Sequence, residues 1–200
     1  MADHLRTLTH TSEGIYKEKG SKFLSFAIPV ESEEEIKQTL DAFKKRYYDA
    51  RHICYAYMLG EDKTQFRSYD DGEPSGTGGR PILGQINSAE LTNVLIVVVR
   101  YFGGVLLGTG GLMHAYKQAA SDALANNEIV INEITKTLHL SFAYEQMNQV
   151  MSIIKALQIS ILEQQFESTC HLSISVAKCV FLQTIAKLES IPTIEIDECK

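Results

Sequence analysis

The longest unbroken aliphatic run in this chain is the six residues from Val94 to Val99, ended by Arg100. A membrane-spanning helix needs about 20 apolar residues, so a helical membrane protein is excluded. Met1 to Thr11 scatters Asp3, His4 and Arg6 among polar residues and has no apolar centre of a secretory signal; a cytosolic protein is expected. Cys54, Cys170, Cys179 and Cys199 form no C-x-x-C pair. That speaks against a zinc knuckle or a dithiol redox motif and leaves free structural thiols, with no metal and no cofactor, as the expectation. A basic surplus is also missing, since 19 Lys and Arg meet 25 Asp and Glu for a net charge of -6, and both halves are acidic. Proteins that hold nucleic acid chiefly by neutralising phosphates carry such a surplus, so an RNA site here has to be a local patch.

What is present is an ordinary globular composition, 44% hydrophobic and 22% charged over 200 residues, with room for one large domain or two small ones. Glu13 to Glu18 and Phe23 to Val30 read as strands around Lys19-Gly20-Ser21-Lys22. Ser32 with Glu35 makes a capping box, and Ile36, Leu40, Phe43 and Tyr47 continue it as an amphipathic helix to about Tyr48. His52 to Leu59 and, more weakly, Gln65 to Tyr69 alternate as strands. The next segment, from Asp70 to Pro81, packs four glycines and two prolines into twelve positions and reads as a loop, with a short helix over Ile82 to Asn87. Leu95 to Tyr101 suits a central strand buried on both faces. A second glycine-rich turn, Gly103-Gly104 through Gly108-Thr109-Gly110-Gly111, feeds a helix over Leu112 to Ala125.

After a linker near Asn126 to Thr135 the rhythm changes. Leu138 to Ala143 alternates, Met147 to Leu157 has helical spacing, Ile159 to Phe166 and Cys170 to Val176 alternate again, Phe181 to Leu188 is helical, and Thr193 to Ile196 closes the chain as a strand. The order β-α-β-β-α-β is that of a ferredoxin-like domain over 136–200, whose Met and Phe stripes are core positions. The expected fold class is therefore α+β, with a first domain over 1–132.

Chemistry concentrates in the two glycine-rich segments. A glycine turn entering a helix offers bare backbone N–H groups and the positive end of the helix dipole, which bind anions. The Gly103 to Gly111 segment lacks the Gly-Lys-Ser/Thr of a Walker loop, and Met113 stands where a dinucleotide fingerprint needs its third glycine. Asp70, Asp71 and Glu73 gather carboxylates suited to Mg2+ or to capping their own loop, beside Ser75, Thr77 and Arg80. Arg100-Tyr101-Phe102 emerges next to the glycine turn; the guanidinium suits an anion or an ion pair with the acidic loop, and the rings suit a base. His52 and His114 have no partner at metal or triad spacing.

Asp-Asp-Gly-Glu-Pro-Ser-Gly-Thr at 70–77, Arg-Tyr-Phe-Gly-Gly at 100–104 and Leu-Gly-Thr-Gly-Gly-Leu at 107–112 with Ala115-Tyr116 resemble the IMPACT/YigZ family. Ser21-Lys22-Phe23 and His52-x-Cys54-x-Ala56 match it too; Gly78 stands where Ala is frequent. The resemblance implies that the first domain is an α/β sandwich like the second domain of ribosomal protein S-five, a fold shared with an elongation factor G domain and the GHMP kinases. It implies a C-terminal domain like the last of that factor. Eukaryotic relatives regulate translation using an additional N-terminal domain, and this chain resembles the short bacterial form. The expected function is a noncatalytic cytosolic factor binding RNA, a ribosomal surface or a translation-associated protein. Its binding residues are expected to be Asp70, Asp71, Glu73, Ser75, Thr77, Arg80, Arg100, Tyr101, Gly103, Gly104, Gly108, Gly110 and Gly111. The alternatives are an enzyme acting on a phosphorylated small molecule and a plain protein-interaction module. No oligomeric state is assigned.

Overall fold

A computed structural model describes residues 4–167 and 169–198. The chain divides into two compact units, Leu5–Asn132 and the residues from Glu133 onward, the latter taking in His4. It is a mixed α and β protein with several sheets. Among the described residues no helix is long and apolar enough to cross a membrane. Cys199 lies outside the described residues.

The first unit runs β1 (His4–Leu8), β2 (Ser12–Glu18), β3 (Ser21–Pro29), α1 (Glu33–Arg46), β4 (His52–Leu59), β5 (Gln65–Tyr69), α2 (Gly79–Ser88), β6 (Val94–Tyr101), α3 (Gly108–Ala125) and β7 (Ile129–Glu133). Five strands form an antiparallel sheet in the order β2-β3-β6-β4-β5, while β1 and β7 pair separately. The β2–β3 turn has only two residues, Lys19 and Gly20, both at positive φ (46° and 79°), which matches the right-handed twist of the flanking strands.

Central strand β6 organises this unit. Its residues Val94 to Val99 are fully buried, and their side chains alternate between two cores. Val94, Ile96 and Val98 pack with Ile82, Ile86, Leu112, Ala115 and Tyr116 of α2 and α3, whereas Leu95, Val97 and Val99 pack with Ile36 and Leu40 of α1. Burying each such side chain contributes roughly 1.5 to 3 kcal/mol, which fixes the register of β6 and hence what emerges at its end. Helix α1 stops at Arg46, two residues short of the expected end. Its Ser32 Oγ accepts from the Glu35 N–H at 3.2 Å, but the Glu35 carboxylate reaches back to the N–H of Glu31 rather than to that of Ser32.

Three boundaries differ from the sequence reading. Gly79, Arg80 and Pro81 open α2 instead of closing the loop, because proline is tolerated in a first helical turn, where the N–H it lacks would have no partner. Gly108 to Gly111 likewise form the first turn of α3, the helix being held by its buried face of Leu112, Ala115, Tyr116, Ala119 and Ala123. The expected linker contains strand β7, which pairs with the distant β1.

The second unit runs β8 (Thr135–Ala143), α4 (Met147–Ala156), β9 (Ser160–Phe166), β10 (Thr169–Ala177), α5 (Phe181–Glu189) and β11 (Glu195–Glu198), with an antiparallel sheet in the order β11-β8-β10-β9. Thr193 sits at φ 61° in a turn, so the last strand begins two residues later than expected. Leu138, Leu140, Phe142, Leu172 and Ile174 face Val150, Ile154, Phe181 and Leu188 of the helices. The opposite face of the sheet is polar, with His139 bonded to Ser173 and His171 to Ser141 across the strands.

Candidate functional site

Arg100 continues the alternation of Val94, Ile96 and Val98, so its side chain enters the layer of α2 and α3 with only 5% exposure. A buried guanidinium needs a counter-charge. Glu73, on the loop after β5, supplies it: Arg100 Nη1 donates to Glu73 Oε1 at 2.5 Å, and the Tyr116 hydroxyl of α3 donates to the same oxygen at 2.9 Å. The guanidinium carbon lies 5.5 Å from the Phe23 ring centre and 5.7 Å from that of Phe102. Its Nε–H is buried and has no hydrogen-bond partner among the described residues.

His52 stands at the same centre. Its Nδ1 is 2.7 Å from the carbonyl oxygen of Asp71, and since a carbonyl only accepts, Nδ1 carries the proton; Nε2 lies 3.8 Å from Glu73 Oε1. Behind it, burial pushes the Cys54 thiol up, so this cysteine is a packed thiol rather than a nucleophile. Burial, then the neighbouring Cys54 and Glu73, push the Tyr116 phenol up as well.

The acidic loop is built from inside. Burial alone would raise the Asp70 carboxyl, but the N–H groups of Gly76, Gly79 and Gly78 donate to it at 2.8, 2.8 and 2.9 Å and hold it below the ordinary aspartate value. Asp70 thus caps α2 from the end of β5. Asp71, at φ 46°, accepts from the Ile53 N–H at 2.7 Å. Among the described residues no three His, Cys, Asp or Glu side chains gather to hold a metal.

The residues expected from sequence therefore part company. Glu73, Arg100 and Gly108 border one cleft of about 500 Å3, together with Arg51, His52, Pro74, Phe102, Leu106, Leu107, Thr109 and Leu112. Asp70 and Asp71 hold the loop and do not line it. Thr77 is buried and spends its hydroxyl on the Pro74 carbonyl at 2.6 Å, while Ser75 and Arg80 are exposed and border no part of the cleft. Tyr101 is corrected most clearly: being next to Arg100 in a strand it points to the opposite face, where it packs in the α1 core and donates to Asp49 at 3.1 Å. Gly103 abuts the β2–β3 turn, where an added Cβ would lie 1.9 Å from the Gly20 carbonyl carbon. Added Cβ atoms at Gly104, Gly108 and Gly110 would meet open space, and Gly111 would touch Leu107 at 3.1 Å.

Helix α3 starts without a side-chain cap, since Leu107 precedes it. Its first-turn N–H groups have no intrahelical partners, and the helix dipole adds about half a positive charge there. With Arg51 and Arg100 against Glu73, the cleft favours an anion. Of the further members of this arrangement, Phe102 is the ring expected beside Arg100, whereas His52 and Tyr116 are not foreseen in it. Period-two alternation from Arg100 excludes Tyr101, but nothing local foretells that β4 and α3 deliver His52 and Tyr116 to Glu73.

Comparison with known proteins agrees with the motifs at this site. Residues 19–124 match the Impact N-terminal domain. A Haemophilus influenzae protein named as an IMPACT family member is 35% identical over 162 residues, covering 80% of this chain and 79% of its own. The Escherichia coli IMPACT family member YigZ is 30% identical over 176 residues, 85% of this chain and 84% of that one. A crystal structure described as that of a hypothetical protein is similar with a TM-score of 0.73 at 25% identity, covering 100% of this chain and 99% of the other. A domain match over half of the chain, joined by two relatives that align along most of their length, establishes that the chain belongs to the IMPACT family.

Proposed function

We propose that this protein is a noncatalytic, translation-associated cytoplasmic factor that binds RNA, on its own or on the ribosome, through the cleft of its N-terminal unit. The observation that carries the reading is the buried Arg100, whose Nε–H has no partner, in a cleft that the uncapped first turn of α3 also borders. Both features attract phosphate. The family resemblance supplies the link to translation. We further assign residues 1–132 to a ribosomal-protein-type domain and 136–200 to a ferredoxin-like domain, supported by the β8-α4-β9-β10-α5-β11 order and the β11-β8-β10-β9 sheet.

The rival reading, an enzyme acting on a phosphorylated small molecule, is favoured by one feature, the Nε2 of His52 beside Glu73. It ranks below binding because Glu73 is committed to Arg100 and Tyr116, the Cys54 thiol is pushed up, and no lysine among the described residues borders the cleft.

Ribosome cosedimentation and gel shifts with single-stranded RNA test the proposal. Binding is expected at low salt and should weaken as salt rises, because fewer counterions are released. Arg51→Glu and Thr109→Glu, both exposed positions on the cleft, should weaken it by about ten- to a hundredfold, as expected for losing a charge-assisted contact. Arg80→Glu, away from the cleft, should leave it unchanged. If folded wild-type protein binds neither RNA nor ribosomes at low salt, the proposal fails. Turnover of a sugar phosphate or nucleotide by the same protein would establish the rival.

A further inference from the structure

The shape and chemistry of the cleft narrow its ligand beyond RNA in general. Its inner wall is protein out of solvent, Arg100 at 5% exposure and Glu73 at 8%, while its rim carries Arg51 and two open apolar side chains, Phe102 at 48% and Leu106 at 84%. A cleft of about 500 Å3 is of the size that encloses one small ligand. Glu73 takes Nη1 of Arg100 and so fixes the guanidinium 5.5 and 5.7 Å from the Phe23 and Phe102 ring centres, with the Nε–H left over. Gly108, at φ 71° with open space where a Cβ would be, leaves the first turn of α3 bare to an approaching oxygen.

Resting on the function proposed above, we propose that the cleft recognises a nucleoside 5′-monophosphate group, either free or as the 5′ end of an RNA strand. A phosphate monoester carries about -1.5 to -2 charges at neutral pH, against one for an internal diester, and it continues into a chain on one side only. Its single exit suits a cleft whose inner end is closed by the buried Arg100–Glu73 pair better than a diester does, because a diester must leave in two directions. Arg100 Nε–H and the N–H groups of α3 take the phosphate oxygens. The exposed Phe102 ring takes the base by stacking, which is insensitive to base identity because every base offers a π-face. The two parts of the ligand thus meet two separately mutable parts of the protein.

The test is isothermal titration of the full chain with adenosine 5′-monophosphate, adenosine and inorganic phosphate, together with anisotropy of one short labelled RNA carrying either a 5′-phosphate or a 5′-hydroxyl. Adenosine 5′-monophosphate is expected to bind at least tenfold tighter than adenosine or inorganic phosphate, and the 5′-phosphorylated RNA at least tenfold tighter than its 5′-hydroxyl twin. Free nucleotide and RNA end are told apart by which of the two is tighter. Thr109→Glu should abolish the advantage of the phosphate, and Phe102→Ala should remove the advantage of adenosine 5′-monophosphate over inorganic phosphate; Phe102→Leu, which keeps apolar packing around Arg100, should lose the same advantage while retaining the wild-type melting temperature. Equal affinity for the two RNA ends, with RNA still bound, overturns this inference and leaves the broader binding function standing. Wild-type protein that binds neither RNA nor adenosine 5′-monophosphate overturns both, whereas binding of the free nucleotide without RNA overturns the broader RNA-binding function alone.

Discussion

Glu73 Oε1 lies 2.5 Å from Arg100 Nη1, and both side chains are almost wholly shielded from water. This pair joins the end of the central strand to the acidic loop, and through the Tyr116 hydroxyl it also ties in α3. Removing one partner leaves the other charge buried, which costs about 3 to 5 kcal/mol. Glu73→Ala is therefore expected to destabilise by that amount in urea titrations, and Tyr116→Phe by about 1.5 to 3 kcal/mol, the range for a hydrogen bond to a charged group. In a cycle of Glu73→Gln and Arg100→Met the double variant should lose clearly less than the two single losses combined. Additive losses would show that the pair is not coupled.

Asp70 gives the protein an acid-sensitive element. Its carboxyl is held below the ordinary value when folded. The stability it adds is therefore complete above the unfolded aspartate value of about 4 and drains away as the pH falls through the lowered folded value. Asp70→Asn keeps one acceptor oxygen for three N–H donors and should cost about 0.5 to 2 kcal/mol at neutral pH, as for loss of a helix cap. The gap between wild type and variant should narrow below pH 4. A gap constant from pH 7 to pH 3 would contradict the capping role.

Two glycines of similar appearance in the sequence should respond oppositely to alanine. At Gly103 a Cβ would fall 1.9 Å from Gly20 C and 2.1 Å from Ser21 N, so the β2–β3 turn must move and the melting temperature should fall. At Gly110, in the exposed first turn of α3 with open space around it, Ala should be neutral or stabilise by up to about 1 kcal/mol. Calorimetric scans of both variants check this; equal losses would contradict it.

This contrast shows where the sequence is legible. Strand β6, the hairpin at Lys19-Gly20 and the alternation of β8 and β10 follow from local periodicity and turn chemistry, so they are readable. Gly108 to Gly111 and Gly79-Arg80-Pro81 read as loops because glycine and proline disfavour helix, yet the buried faces of α2 and α3 outweigh that local preference. Strand β7 is short and half exposed, and only its pairing with β1, more than a hundred residues away, makes it a strand. The charges alone point to an ion pair between Arg100 and the acidic loop, at Asp70, Asp71 or Glu73, without choosing among the three. The choice of Glu73, and its placement with Tyr116 and His52, depends on the sheet order, which no local pattern encodes.

The second unit has its own core, from Leu138 and Leu140 to Leu188 and Ile191. A fragment of residues 133–200, which retains the bond from the Lys178 N–H to the Ile134 carbonyl, is expected to fold cooperatively. Circular dichroism during thermal melting checks this. A fragment lacking a cooperative transition would refute the assignment of an independent C-terminal domain.

The most direct test of the account is to map where RNA binds, by titrating uniformly 15N-labelled protein with a 5′-phosphorylated RNA oligomer and following its amide resonances. The largest shifts are expected at the amides of Gly108 to Gly111, Phe102 and Arg51, and they should be lost in Thr109→Glu. Shifts concentrated instead on His139, Ser141, His171 and Ser173 of the C-terminal sheet, with the start of α3 unchanged, would contradict it.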